Sequence, residues 1–377
     1  GNSSLQDIVV GKNGMYSAVD LTRGRAFTYD DNGNLLYAFG APVFERNAFR
    51  TPAAIEYLGD KMVVLDRRMN MLTVMEPTAY AKAIHRAIEL YQSGDYDGSA
   101  DVWRQVLNQN PNLDIAYSGI GRALLRQGQF QEAMRMYRLG SDREGYSQAL
   151  ALYRRDWIND NFSAIMTGIL VVIALVYAIS FIVKQRKRRS TQYEGLAYTI
   201  SENKFVAYLQ KLKYAFHVIV RPGDGFWDLK HEKRGDMWSA TTILGLVMLT
   251  FILARQYTGF PFNMNDPREM NIYMEIASVL VPFLLWCGVN LALTSIMEGK
   301  GSLKEIFITT AYALVPIILI HAPLIVISRV ITLDEGAFYY VFQTIAAVWS
   351  VLLLLVGMST IHDYSFGKNI ATSGLTV

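Results

Sequence analysis

Five long apolar segments constrain this chain more than any other feature of its sequence. The first, residues 163–183, holds 21 uncharged and mostly apolar positions, enough for one helix to cross the roughly 30 Å hydrocarbon core of a bilayer. Four more candidate spans follow at about 237–254, 276–297, 306–328 and 337–361. Charged residues form 18% of the 377 positions, against roughly 25% in a soluble domain. The sequence therefore predicts a multi-pass membrane protein.

The basic residues predict how these helices are oriented. A run of five, Lys184 and residues 186–189, directly follows the first span, and cytoplasmic loops carry an excess of Lys and Arg. Alternating sides along the chain gives fifteen Lys and Arg in the predicted cytoplasmic segments and three in the predicted outer loops, which are Arg255, Arg268 and Arg329. We therefore expect an extracellular N-terminal region and a cytoplasmic C-terminus. The net charge of +3 does not favour nucleic acid, and the basic run beside a span is read as a stop-transfer signal.

Residues 1–78 contain short segments in which apolar and polar residues alternate, the pattern of half-buried strands. Two similar units each run from a strand, through an aspartate (Asp30 or Asp66) and a turn, into another strand. They resemble the repeat of NHL-type β-propellers. Two units cannot close a propeller, which needs at least four blades, so either further blades precede them or the strands pack in another way. The segments are Arg25–Tyr29, Leu35–Phe39, residues 61–65 and Met71–Met75.

Residues 79–160 change to helical periodicity with a repeat of 34 residues. Gly94 and Gly128 are separated by this distance, and the same offset aligns Trp103 with Tyr137. The pattern resembles the tetratricopeptide repeat (TPR), with signature positions Gly94, Trp103, Pro111, Gly128, Ala133 and Tyr137. Such arrays bind partner proteins or pack on a neighbouring domain. The alternative is a short helical stalk without a ligand.

After the first span, residues 161–184, comes a juxtamembrane segment, residues 185–236. Within it, residues 203–219 predict an amphipathic helix whose apolar stripe contains Phe205, Leu209, Leu212, Phe216 and Ile219. We expect this helix to lie flat on the inner leaflet, with its lysines toward anionic head groups. The alternative is packing on a cytoplasmic partner.

The remaining residues, 237–377, form the predicted membrane bundle. The motif RPGDGFWDLKHEKRGDMWSA at 221–240, the order of the loops and the tail HDYSFGKNIATSGLTV resemble the bacterial Yip1-domain family over about 190–377. The resemblance implies a polytopic helical bundle in a bacterial cell membrane. A Yip1 domain has five spans of its own and four are visible here, so we expect a final helix beyond Val377.

Five residues of this motif form a hypothetical partner-docking site. A Pro-Gly turn would hold an aromatic pair between a helix lying flat and a helix crossing the membrane, and such a pair offers a large contact area. The alternative is that the aromatics only anchor the chain at the membrane interface. The proposed docking residues are Arg221, Asp224, Phe226, Trp227 and Asp228.

Two polar residues lie within predicted spans. An ionisable group at that depth is a functional candidate, which makes His321 a hypothetical proton or ligand site. A neutral imidazole hydrogen-bonded within the bundle is the alternative. For Asn290 we expect an interhelical hydrogen bond, with transport as the alternative.

No pattern in the sequence indicates an enzyme, a cofactor or a metal site. The P-loop, the G-x-S-x-G elbow and the H-E-x-x-H motif are all missing, and the single cysteine, Cys287, lies in an apolar run. The predicted fold class is a multi-domain membrane protein with a propeller-like β segment, TPR-like helices and a polytopic helical bundle.

The predicted function is that of a non-enzymatic accessory or scaffold subunit. The resemblance implies a carbohydrate ABC importer, whose permeases and extracellular binding component would be its partners along with the lipid bilayer. The alternatives are a transporter or channel in its own right, or a membrane-organising protein without a transporter partner.

Overall fold

The computed structural model describes residues 3–40, 49–190, 203–265, 269–296, 299–363 and 374. The chain divides into two compact units, Gly1–Asp156 and Trp157–Val377.

The first unit begins with two antiparallel sheets. One has the order β1-β2-β3-β4 and the other β5-β6-β7. The four predicted strands are present as β3, β4, β6 and β7. The sequence pattern missed β2 because Ser17 to Asp20 are all buried, so no alternation marks them. The strands are β1 Leu5–Val10, β2 Tyr16–Asp20, β3 Arg25–Tyr29, β4 Leu35–Phe39, β5 Pro52–Leu58, β6 Lys61–Asp66 and β7 Met71–Met75.

The two sheets contain equivalent aspartates, but a different pair from the one that the sequence predicts. The sequence paired Asp30 with Asp66, whereas the structure makes Asp20 the equivalent of Asp66. Each of these two carboxylates is buried at a strand end and accepts backbone N–H bonds from the turn that follows. Each also accepts one from the residue 16 positions earlier, Ser4 or Arg50. Within the described residues the sheets do not close into a propeller, as expected when closure needs at least four blades.

Four helices follow, as the 34-residue repeat predicts. They are α1 Ala79–Ser93, α2 Tyr96–Gln109, α3 Asp114–Arg126 and α4 Phe130–Leu139. Gly94 and Gly128 follow α1 and α3 with φ of +87° and +77°, a left-handed conformation that suits glycine at a helix end. The next helix, α5, runs without interruption from Arg143 to Ser190, so the last helix of the repeat region and the first predicted span are one element.

The second unit is helical throughout its described part. Five helices or helix pairs are long and apolar enough to cross a membrane: Arg143–Lys184, Met237–Tyr257, Ile272–Leu293, Leu303–Ile327 and Leu333–His362. They match the five predicted spans. After α5 the helices are α6 Lys204–Val220, α7 Pro222–His231, α8 Met237–Tyr257, α9 Ile272–Ile296, α10 Leu303–Ala313, α11 Val315–Ile327 and α12 Gly336–His362.

Helix α6 is the predicted amphipathic helix, but its apolar stripe is partly exposed at the surface and partly buried in the bundle. Phe205, Leu209 and Phe216 are exposed at the protein surface, whereas Ile219 is buried in the bundle core. Lys211, expected to face head groups, instead binds Asp236 with 2.7 Å between Nζ and Oδ2. The helix therefore packs on the bundle along one side and leaves apolar side chains uncovered on the other.

Candidate functional site

The TPR signature residues form the core of the helical repeat. Trp103 is 1% exposed, and Tyr137 and Ala133 are equally enclosed. Two glycines that the sequence did not single out make room for the aromatics. A Cβ atom at Gly119 would lie 2.4 Å from Trp103, and one at Gly145 would lie 2.3 Å from Tyr137. Pro111 is exposed in the turn between α2 and α3.

Helix α1 of the repeat region contacts the sheets of the same unit. Tyr37 Oη lies 2.7 Å from His85 Nε2, and the Gln92 side-chain amide donates to the Asn13 carbonyl at 2.9 Å. Burial raises the pKa of Tyr37 to about 12 and lowers the pKa of His85. Both groups are therefore neutral at pH 7, and one proton, on Oη or on Nε2, forms the hydrogen bond between them. Of the two roles expected for TPR-like helices, α1 thus provides packing on a neighbouring domain.

A cavity of about 240 Å³ lies at this junction, between the β3–β4 turn and helices α1 to α3. Arg122 Nη1 reaches the buried Asp30 carboxylate across it at 3.7 Å. The Asp30 carboxylate also accepts the backbone N–H groups of Asn32 and Asn34. The lining is completed by Asp31, Ile88, Tyr91, Gln92, Trp103 and Gly119. The turn thus inserts an acidic group among the TPR helices.

In the second unit, the structure separates the aromatic pair of the docking motif. Phe226 is 0% exposed and belongs to the bundle core, beneath Gly357 of α12. The expectation that Phe226 forms part of an exposed surface is therefore wrong. The reason is local: Pro222 begins α7 rather than a turn, since proline suits the first position of a helix, and successive helical residues point in different directions.

The remaining docking residues also fall into two groups. Asp228 is held inside the chain, where it accepts a short hydrogen bond from Tyr214 Oη and lies 3.8 Å from Arg234 Nε. Burial and this bond raise the pKa of Tyr214. Arg221, Asp224 and Trp227 remain exposed. Their role as a docking surface stays a prediction.

Three exposed residues form one face of α7. Asp224, Trp227 and His231 follow one another at spacings of three and four residues, which places them on one side of the helix. Trp227 is 49% exposed, and its ring stacks on His231 with centroids 4.4 Å apart. The stacking holds a large aromatic surface in a fixed position outside the core.

Asn290 makes the interhelical hydrogen bond that we expected of it. Its Oδ1 lies 2.8 Å from Nε2 of His362, and both side chains are buried. The Gly301 backbone N–H donates to His362 Nδ1 at 3.2 Å. Because Nδ1 accepts, the proton is on Nε2 and is donated to Asn290. The sequence did not identify His362, although it begins the tail that carried the family resemblance.

His321 is half-buried in α11, and its ring centre lies 5.9 Å from that of Phe251. Its proton or ligand chemistry stays a prediction. Among the described residues, no three His, Cys, Asp or Glu side chains converge in an arrangement that could hold a metal ion.

Comparison with known families supports two of the three resemblances, those to the TPR and to the Yip1 domain, and does not show the NHL-type propeller. Residues 216–377 match the family model of the Yip1 domain, and residues 89–137 match that of a TPR repeat. The comparisons with curated proteins and with solved structures find no match. The Yip1 match begins within α6 and includes α7 and the four spans from α8 to α12. The chain is therefore a multi-pass membrane protein in which one region is similar to a TPR repeat and another to the Yip1 domain.

Proposed function

We propose that this chain is a non-enzymatic accessory subunit of a bacterial carbohydrate ABC importer. The first unit would bind or position an extracellular component, and the Yip1 bundle would dock on the permease subunits. The observation that carries the docking step is the exposed face of α7, formed by Asp224, Trp227 and His231, on a helix that Phe226 fixes in the bundle core.

The α7 face has the properties of a protein-binding surface rather than of a lipid-facing one. A tryptophan pre-stacked on His231 presents contact area without losing much side-chain entropy on binding, which suits an interface anchor. Asp224 and Arg221 beside it supply charges of both signs that can select a partner by electrostatic complementarity. A surface meant only for lipid tails would not carry these charges.

The link to a transporter is supported by the resemblance to the Yip1 domain joined to TPR-like repeats. A chain without the P-loop motif has no P-loop with which to bind ATP, so hydrolysis would come from another subunit. An extracellular N-terminus is supported by the fifteen Lys and Arg in the predicted cytoplasmic segments, against three in the loops predicted on the other side.

Co-purification tests the docking step. The tagged full chain, extracted in mild detergent, should recover permease subunits, and Trp227→Ala should lose them while keeping the same thermal stability. Trp157→Ala is the matched control, because Trp157 is 50% exposed but lies on α5. Equal recovery by all three proteins would remove α7 as the docking surface.

If the wild type recovers no permease and instead conducts a solute in liposomes, the chain is a transporter in its own right. If it does neither, the proposal of a membrane organiser without a transporter partner replaces ours.

Cysteine labelling tests the orientation. With the buried Cys287 replaced by Ser, an impermeant maleimide should reach a cysteine placed at the exposed Asn108 in intact cells. It should not reach one placed at Lys187. The reverse pattern would contradict the extracellular assignment.

A further inference from the structure

A cavity of about 520 Å³ lies between α6 and the beginning of α8, apart from the α7 face. It is open on one side. Its lining combines charged and aromatic side chains, which are Lys204, Tyr208, Lys211, Asp236 and Trp238, together with Ala207.

The charges in this cavity leave one cation without a partner among the described residues. Lys211 is paired with Asp236 at 2.7 Å, and Asp236 also accepts the Ser239 N–H that begins α8. Burial opposes ionisation of Asp236, but the hydrogen bonds from Lys211 and Ser239 keep its pKa lowered. Lys204, at the start of α6, is exposed and adds an unpaired positive charge. The cavity therefore has a net charge of about +1 and attracts an anion.

Helix α8, which borders the cavity, indicates the level of the membrane at which the cavity lies. Trp238 lies in the first turn of α8, whose 21 residues make one membrane crossing, so it lies where the hydrocarbon meets the head groups. Its side chain is 78% exposed, and tryptophan is enriched at this depth. The phosphate of a phospholipid lies at the same level.

The side of α6 next to the one that lines the cavity carries an exposed apolar surface. Phe205, Leu209 and Phe216 are exposed along this helix, with spacings that place them on one side. A water-soluble anion would leave this surface uncovered, whereas the acyl chains of a lipid would cover it.

We infer that the cavity between α6 and α8 is a binding site for an anionic phospholipid. Lys204 binds the head-group phosphate, Tyr208 and Trp238 form the walls at the glycerol level, and the acyl chains lie along the exposed side of α6. The site holds α6 against the membrane surface, and it would do so whichever side of the membrane α6 occupies.

Lipid-dependent thermal stability of the full chain in mild detergent tests this site. A ligand that binds only the folded state stabilises it by an amount that rises with the logarithm of one plus the ratio of free ligand concentration to Kd, and so raises the melting temperature. Phosphatidylglycerol should stabilise the wild type more than phosphatidylcholine does. Lys204→Gln should weaken the affinity for phosphatidylglycerol about fivefold, the factor equivalent to the roughly 1 kcal/mol that one lysine contributes near an anionic surface.

Lys213→Gln is the matched control, because Lys213 is an exposed lysine of the same helix that does not line the cavity. It should retain the affinity of the wild type. Equal losses in the two variants would show a diffuse surface charge and overturn the site. Equal stabilisation by the two lipids would overturn anionic selectivity. Equal stabilisation by soluble glycerol phosphate would identify an anion site without a lipid requirement, and would also overturn the proposal.

Discussion

Two tryptophans illustrate the difference between the two units. Trp103 in the first unit is 1% exposed and packs on Gly119, whereas Trp238 in the second is 78% exposed. A large exposed aromatic would be costly in water if it formed part of a continuous apolar patch, but at a membrane surface it is favourable. Burial by protein therefore stabilises the first unit, while the second leaves much of its apolar surface for the bilayer. The meaning of an exposed side chain depends on which solvent it faces.

The largest expected effect is on the buried tryptophan. Trp103→Ala should destabilise the helical repeat by about 3–5 kcal/mol through lost transfer free energy and the cavity left behind. Hydrogen exchange of α2 and α3 amides in the full chain measures this loss. Leu139→Ala, at an exposed position of α4, should leave the exchange unchanged. Unaltered protection in the Trp103 variant would mean that the 34-residue register is wrong.

The next effect concerns the buried carboxylates of the sheets. Asp66→Asn should cost about 1.5–3 kcal/mol, because the charged group accepts backbone N–H bonds from Arg68 in the turn that follows and from Arg50 before β5. Burial opposes ionisation, yet these bonds lower the pKa of Asp66 below its ordinary value. The stabilisation is complete above the unfolded-state pKa, about 4, and is lost as the pH falls through the lower folded-state value.

Hydrogen exchange of β6 and β7 amides between pH 7 and pH 3 checks this prediction, after correction for the intrinsic exchange rate. The protection should fall in acid in the wild type and fall less in the variant. Asp101→Asn, an exposed position, should follow the wild type. A wild-type protection that does not depend on pH would rule out the role given to the carboxylate.

Substituting one glycine in each unit compares how tightly the two units are packed. Gly119→Ala should cost about 1–3 kcal/mol, because the new Cβ would overlap the enclosed Trp103 ring. Gly245→Ala in α8 should cost nothing, since its Cβ would have no neighbour within 4 Å. Thermal melting of both variants in detergent distinguishes the two environments. Equal losses would show that the second unit is packed as tightly at this position as the first.

The smallest effect is expected inside the membrane bundle. Asn290→Ala removes the acceptor of His362 Nε2–H, and the coupling energy between the two side chains should be about 0.6 kcal/mol, the average for such bonds between membrane helices. A double-mutant cycle with His362→Phe measures the coupling between the two side chains. His321→Phe combined with Asn290→Ala should show no coupling, and coupling there would contradict the pairing described.

The features that follow from a sequence repeat or from the length of an apolar segment could be predicted from the sequence. A 34-residue offset identifies Trp103 and Tyr137 because each repeat places its aromatic at the same point of a helix pair. The spans could be predicted because a bilayer requires about 20 consecutive apolar residues. Both signals are local and need no knowledge of distant contacts.

The features that depend on partners elsewhere in the chain could not be predicted in the same way. Whether Phe226 or Trp227 faces outward depends on the position of Gly357 and α12. The 46-residue separation of Asp20 and Asp66 was hidden because Asp30 offers a similar aspartate before a similar turn. His362 was overlooked because its partner, Asn290, is 72 positions away.

The position of α7 beneath α12 has a consequence for how the protein is made. Lys230 of α7 donates to the carbonyl of Ile361, 131 residues later, at 2.9 Å. At synthesis rates of roughly 5–20 residues per second, Ile361 leaves the ribosome about 7 to 26 seconds after Lys230. During that interval the side of Phe226 that α12 will cover has no partner from this chain. The order of translation therefore leaves this side of α7 dependent on the insertion machinery or the lipid for cover until α12 is in place.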